Sequence, residues 1–154
     1  MNVYPIEAGN FKLDGGAMFG VVPKSLWTKT NPADADNMIE MSSRCMLVEN
    51  SDKLILVDTG MGDKQSEKFF KYYKRWGSDN LVKSINSAGF SIDDVTDVLL
   101  THLHFDHCGG AVAWDSSKEA YDVLFKNANY WSNEKHWDWA TSPNPREKAS
   151  FLDE

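Results

Sequence analysis

Three of the four histidines in this 154-residue chain fall within six positions, in Thr101-His-Leu-His-Phe-Asp-His-Cys-Gly-Gly110. The apolar run 98–100 precedes them and reads as a strand. On a strand, His102 and His104 are two residues apart and project to one side, and a turn at Phe105-Asp106-His107 brings two more donors toward the same point. Neutral imidazole and carboxylate are the ligands of zinc, or of iron and manganese in a more oxygen-rich shell. His102, His104, Asp106 and His107 are therefore candidate metal ligands, whereas a polar turn with incidental histidines leaves their spacing unexplained. Cys108 adjoins His107, and thiolate also binds metal. Adjacent turn residues seldom reach one ion, so Cys108 reads as a buried thiol packed beside Gly109.

Strands and helices must hold this cluster in place. Around Asp14-Gly15-Gly16 a tight turn is expected between two strands. Residues 21–41, with Pro23 and Pro32, read as a long loop or lid. A hairpin follows: Cys45-Met-Leu-Val48, a turn at Asn50-Ser-Asp-Lys53, then Leu54-Ile-Leu-Val57, both strands apolar enough to be buried on two faces. Phe69, Tyr72, Tyr73 and Trp76 recur at helical spacing, so residues 64–76 read as a helix whose aromatics join the core and cover one face of the sheet. Further helices are expected near 80–88, stopping at Gly89, and from Asn133, with a capped turn at 91–94, a strand over 98–101 and another near 129–132. Strands alternating with helices give an α/β fold.

Composition sets the outer limits. Hydrophobic residues make up 42% of the chain and charged residues 25%, which is the balance of a globular domain. A net charge of -7, with no long basic run, argues against nucleic acid as the main partner. The N-terminus lacks a basic start and a signal-length apolar stretch, and no run is long enough to span a membrane, so a cytoplasmic protein with no membrane partner is expected. Cys45 and Cys108 are expected to be free thiols.

The pattern His-x-His-x-Asp-His after a strand resembles the signature of the metallo-β-lactamase-fold hydrolases. Leu56-Val57-Asp58-Thr59-Gly60 matches that family's early strand ending in Asp-Thr-Gly. The N-terminal stretch Asp14-Gly-Gly-Ala-Met-Phe-Gly-Val-Val-Pro-Lys24, with Leu26-Trp27, is most similar to the branch with lactonase-like and organophosphate-hydrolase-like members. The resemblance implies two divalent metals, zinc first and iron or manganese as alternatives, with His102 and His104 on one ion and Asp106 and His107 on the other. It implies an activated hydroxide acting on an ester, lactone or related bond of a small-molecule substrate. Asp106 would also move a proton to the leaving oxygen. Asp58 and Thr101 would steady the metal loop, Asp58 serving equally as a turn cap. Met18, Phe19 and Trp27 would line a substrate pocket if the N-terminal loop folds over the metals, or else pack in the core.

Members of the family draw another His, a bridging Asp and a last His from the second half of an αββα sandwich, and this chain offers no counterparts. His136, the one remaining histidine, reads as an ordinary helix residue. The expectation is a single metallo-β-lactamase-like domain over 1–154, corresponding to the N-terminal half of the sandwich and truncated at its C-terminus. Its open sheet would need the missing half, a complementary chain or association into a homo-oligomer, and alone it would be catalytically incompetent. Two other functions fit the same residues: an iron-dependent oxidoreductase on this fold, and a non-catalytic metal-binding or interaction module.

Overall fold

The computed structural model describes residues 1–153; Glu154, the last residue of the expected domain, lies outside the described residues. Strand β1 (Asn2–Asp14) ends at the Asp-Gly-Gly signal. Asp14 does not turn the chain into a second strand. Its carboxylate accepts the Ala17 N–H at 2.7 Å and caps the short helix α1 (Gly15–Phe19), a role for which Asp is well suited. The segment read as a loop contains helix α2 (Lys24–Trp27) and the start of β2 (Met38–Asn50), which pairs antiparallel with β1 across a bulge between Glu7 and Asn10. The expected hairpin is present: β2 turns at Ser51 into β3 (Lys53–Val57).

The aromatic helix is shorter than its periodicity predicts. Helix α3 (Glu67–Phe70), capped by Ser66, passes into a 3-10 turn that ends at Lys74 in a left-handed conformation with φ 40°. The stripe is therefore split: Phe69, Phe70 and Tyr73 pack inward, while Tyr72 and Trp76 are exposed. Helix α4 (Leu81–Ser87) begins at an Asn80 cap, and a Ser91/Asp94 capping box then leads into β4 (Asp97–Leu99). After α5 (Phe105–Cys108) comes a small hairpin that local sequence signals did not predict, formed by β5 (Val112–Trp114) and β6 (Tyr121–Val123). Strand β7 (Asn129–Trp131) and helix α6 (Glu134–Thr141) complete the order.

The main sheet has the order β1-β2-β3-β4-β7, with the first two pairings antiparallel and the last two parallel. One face carries Ile6, Cys45, Leu47, Leu54, Leu56 and Val98, packed with Leu81 and Ile85 of α4 and with Phe125. The cover is thus α4, not the 64–76 segment. On the other face Pro5, Met46, Val57, Leu99 and Trp131 are aligned in register across all five strands. Met46 is 43% exposed, Leu99 44% and Trp131 55%, so the strands expected to be buried on both faces are buried on one.

At the edge of the open face, Asp97 is buried and accepts hydrogen bonds from the Thr96 hydroxyl (2.7 Å), the Lys53 ammonium (2.9 Å) and the Trp131 indole (2.8 Å). These bonds hold its carboxyl down at about 2. The unfolded value is about 3.9, so the ionised form stabilises the fold fully above that pH and progressively less as pH falls toward 2. Asp97→Asn is expected to cost about 2 kcal/mol at neutral pH, in the range for hydrogen bonds to a charged group. Urea unfolding of the two proteins should converge as pH falls from about 4 to 2; a gap that stays constant through that window would disprove the assignment.

Candidate metal centre

Asp58 directly follows β3, and Thr101 and His102 lie just beyond β4, so the site forms outside the carboxyl ends of two adjacent parallel strands. Asp58 has φ 60°, a left-handed backbone that costs a non-glycine residue energy and is found preferentially at functional positions. Its N–H donates to the Leu99 carbonyl at 2.9 Å, which ties it to β4. Its carboxylate accepts the Thr101 N–H (2.8 Å), the Thr101 hydroxyl (2.8 and 2.9 Å) and Nδ1 of His107 (2.9 Å). Burial alone would raise the Asp58 carboxyl, but the hydrogen bonds from His107 and Thr101 outweigh it and hold the group below its usual value.

That bond assigns the proton of neutral His107 to Nδ1 and leaves Nε2 as the lone-pair nitrogen. The Asp58 hydrogen bond also raises the His107 pKa, against the effect of burial. For His102, burial is the largest influence and the neighbouring His107 and His104 add to it, lowering its pKa and favouring the neutral form that binds metal. Its ring lies 4.0 Å from that of His107 and 4.7 Å from that of His104, centroid to centroid, with Nδ1 3.1 Å from the Thr101 hydroxyl. Nε2 of His104 is buried and has no hydrogen-bond partner. Asp106 places Oδ2 3.8 Å from Nε2 of His107 and borders a cavity of about 190 Å³ shared with Asp58, Phe11 and Met41.

The loop is locked to its neighbours by close backbone contact. The Thr59 N–H and hydroxyl both donate to the His107 carbonyl, at 2.8 and 3.0 Å, and the Gly110 N–H donates to the Gly60 carbonyl at 2.9 Å. A Cβ on Gly109 would stand 2.3 Å from the Met61 carbonyl oxygen, and one on Gly110 would stand 2.2 Å from that of Thr59, so only glycine fits at either position. The buried Lys64 ammonium holds the Gly109 carbonyl at 2.6 Å. Phe105 anchors α5 between Phe69 and Tyr73, at 5.2 and 5.1 Å, so the inward part of the aromatic stripe braces the histidine loop.

The structure thus brings His102, His104, Asp106 and His107 together beside Asp58 and Thr101. Three imidazoles and a carboxylate, one nitrogen of which is buried and unpartnered, suit zinc. Among the described residues no three His, Cys, Asp or Glu side chains already converge as a shell, so metal uptake would require the rings to turn. Met18, Phe19 and Trp27 do not line the cavity beside Asp58, Asp106 and His107. Phe19 stacks on Trp27 at 5.1 Å, Trp27 is buried against Gly15, and Met18 is about half exposed. The Cys108 thiol is half-buried, donates to the Leu103 carbonyl at 3.4 Å and is raised by burial. Burial pushes Cys45 up to about 12, and both thiols are free.

Sequence reasoning passed over one group of residues. His136 of α6 lies 6.1 Å from the His102 ring, and Trp139 and Phe151 stand 6.2 and 4.9 Å from the His104 ring. His136 and Trp139 are three apart on a helix and share a face, which was the available signal. What that face meets is a matter of tertiary packing.

The model of the metallo-beta-lactamase superfamily matches residues 39–152. An N-acyl homoserine lactonase of Bacillus cereus is 28% identical over 104 residues, covering 61% of this chain and 40% of the lactonase. A probable metallo-hydrolase of Mycobacterium bovis is 31% identical over 108 residues, covering 61% of this chain and 35% of the relative. Among solved structures, a probable metal-dependent hydrolase from Staphylococcus aureus superposes with a TM-score of 0.89 at 31% identity, over 99% of this chain and 53% of that one. A dizinc quorum-quenching lactonase in complex with a product gives 0.67 at 28% identity, over 94% and 46%. The chain therefore spans about half the length of these relatives or less. No helix among the described residues is long and apolar enough to cross a membrane.

Proposed function

Because the chain belongs to the metallo-beta-lactamase superfamily, we propose that it forms the metal-binding part of a hydrolase acting on an ester, lactone or related bond. His102 and His104 hold one divalent ion, and Asp106 and His107 a second. The observation that carries this is the buried, unpartnered Nε2 of His104 beside the His102 and His107 rings. Zinc is favoured by the imidazole-rich donor set and by the dizinc lactonase among the similar structures. When bound, such metals supply a nucleophile at neutral pH and polarise the substrate oxygen.

The chain's own residues orient these groups. Asp58 fixes the His107 tautomer through Nδ1 and secures Thr101, whose hydroxyl reaches Nδ1 of His102. Asp106, the one carboxylate among the motif's proposed donors, would pass a proton to the leaving oxygen in addition to binding metal. The motif's four donors are fewer than two zinc ions require, so residues 1–154 alone should hold metal while turning substrate over poorly.

A ring-opened N-acyl homoserine, with its carboxylate and hydroxyl, is expected to bind the zinc-loaded chain in calorimetry and to lose that binding on chelation. Binding indifferent to chelator would overturn the hydrolase reading. Purification with redox-active iron in place of zinc would favour the oxidoreductase instead.

A further inference from the structure

Trp76, left outside the core, stands at one end of a groove that the metal centre does not use. Two cavities of about 310 and 270 Å³ adjoin each other, with Ala8, Gly62, Asp63 and Asn80 lining both. Trp76 borders the first and Trp114 the second, and the two are 45% and 41% exposed. No histidine borders either cavity.

Hydrogen bonds fix the walls of the first cavity. The Trp76 N–H donates to the Asn10 carbonyl at 3.1 Å. Asn10 is buried, accepts the Ser42 hydroxyl and donates to Asp79, both at 2.7 Å. A Cβ on Gly77, whose φ is 78°, would stand 3.1 Å from Nδ2 of Asn10, so the turn that carries Trp76 sits tightly on β1. The Arg75 guanidinium lies 3.4 Å from the centre of the Phe70 ring, and its Nη1 donates to Asp63 at 2.6 Å and to the Gly62 carbonyl at 3.1 Å. At the other end the Trp114 indole N–H donates to the Lys64 carbonyl at 3.0 Å, and its ring packs against Tyr121 at 4.2 Å. Walls held in this way before a ligand arrives lose little freedom on binding it.

The groups left over define the ligand. Among the described residues, Nε and Nη2 of Arg75, the Lys83 ammonium, the Ser43 and Ser78 hydroxyls and Oδ1 of Asp79 have no protein hydrogen-bond partner. Arg75 and Lys83 balance Asp63 and Asp79, so a phosphate would meet two carboxylates and a metal ion two cations. A neutral polyol meets neither conflict. Each of its hydroxyls both donates and accepts, which answers unpaired donors and an unpaired carboxylate oxygen together. The apolar C–H face of a pyranose ring also lies flat against an indole, which offers a broad apolar body beside a polar edge. Two indoles along one groove give room for more than one ring.

We propose that this groove binds a neutral oligosaccharide of pyranose units, one ring resting on Trp76 among Arg75, Asp79 and Lys83 and a later ring reaching Trp114. The site is separate from the metal centre and does not rest on the hydrolase reading.

The test follows the indole N–H signals of the nitrogen-15-labelled 154-residue chain during titration with maltotetraose and with cellotetraose. Signals of Trp76 and Trp114, assigned from Trp76→Phe and Trp114→Phe, should shift saturably with at least one of the two sugars while the other four of the six tryptophans stay in place. Trp76→Ala, checked by circular dichroism, should weaken that binding about tenfold, the upper end of what one aromatic contact contributes. No shift with either sugar, or unchanged affinity in a folded Trp76→Ala chain, would overturn the proposal. Shifts of Trp76 with glycine or inorganic phosphate but with neither sugar would overturn it in favour of a charged ligand. Adding a metal chelator should leave sugar binding as it was; its loss would place the sugar at the metal centre and overturn the separate site.

Discussion

A chain carrying His102→Ala and His104→Ala together is expected to retain no stoichiometric zinc after dialysis, while the wild-type chain retains it. The two side chains project from one segment beyond β4, and their rings pack at 4.7 Å. Removing both takes away direct donors to the same ion. Losing an outer hydrogen-bond partner alone weakens metal affinity about 10- to 100-fold, so the double change should exceed that range. Asp58→Asn serves as the graded control: it disturbs the carboxylate that orients His107 through Nδ1 and should fall within that range. Elemental analysis decides the outcome. Zinc content unchanged in the double variant would show that the motif is not the metal site.

Concentration-dependent association is the second large effect expected. Pro5, Met46, Val57, Leu99 and Trp131 form an apolar row across the sheet, in which Met46, Leu99 and Trp131 are exposed. Apolar patches beyond several hundred Å² usually mark an interface or an aggregation hazard. At about 25 cal/mol per Å², covering ~400 Å² would contribute ~10 kcal/mol, which is within the 5–15 kcal/mol by which whole domains are stable. Sedimentation of residues 1–154 should show species that grow with concentration, together with binding of a hydrophobic dye. Replacing Met46 and Leu99 by lysine should suppress both. A compact monomer silent to the dye at every concentration would mean that this face is closed by some other route.

Local structure was easier to read from the residues than the contacts between distant segments. The β2–β3 hairpin, the helix near 80–88 and the capped turn at 91–94 rest on local signals, and each appears where the residues indicate. Errors arose where distant contacts decide. Asp14 followed by two glycines is chemically ready for either a hairpin turn or a helix cap, and its bond with Asn37, 23 residues on, belongs to the cap arrangement. The aromatic stripe at 69–76 keeps helical spacing through a 3-10 turn at 71–73 and past a left-handed Lys74, and Tyr72 in the turn and Trp76 beyond it are exposed. His136 looked ordinary because nothing within its own helix reveals that His102 lies 6.1 Å away.

The parallel pairing of β3 with β4 has a final consequence. Ile55, Leu56 and Val57 align with Asp97, Val98 and Leu99, and this alignment brings the Asp58 carboxylate within hydrogen-bond reach of the Thr101 N–H across a sequence separation of 43 residues. A one-residue slip between the strands would turn the Asp58 side chain to the other side of the sheet and leave His107 without its anchor, even with every strand still formed. The same slip would turn Leu54 and Leu56 out of the core, so the burial that fixes the sheet's register also fixes the anchor of the histidine loop.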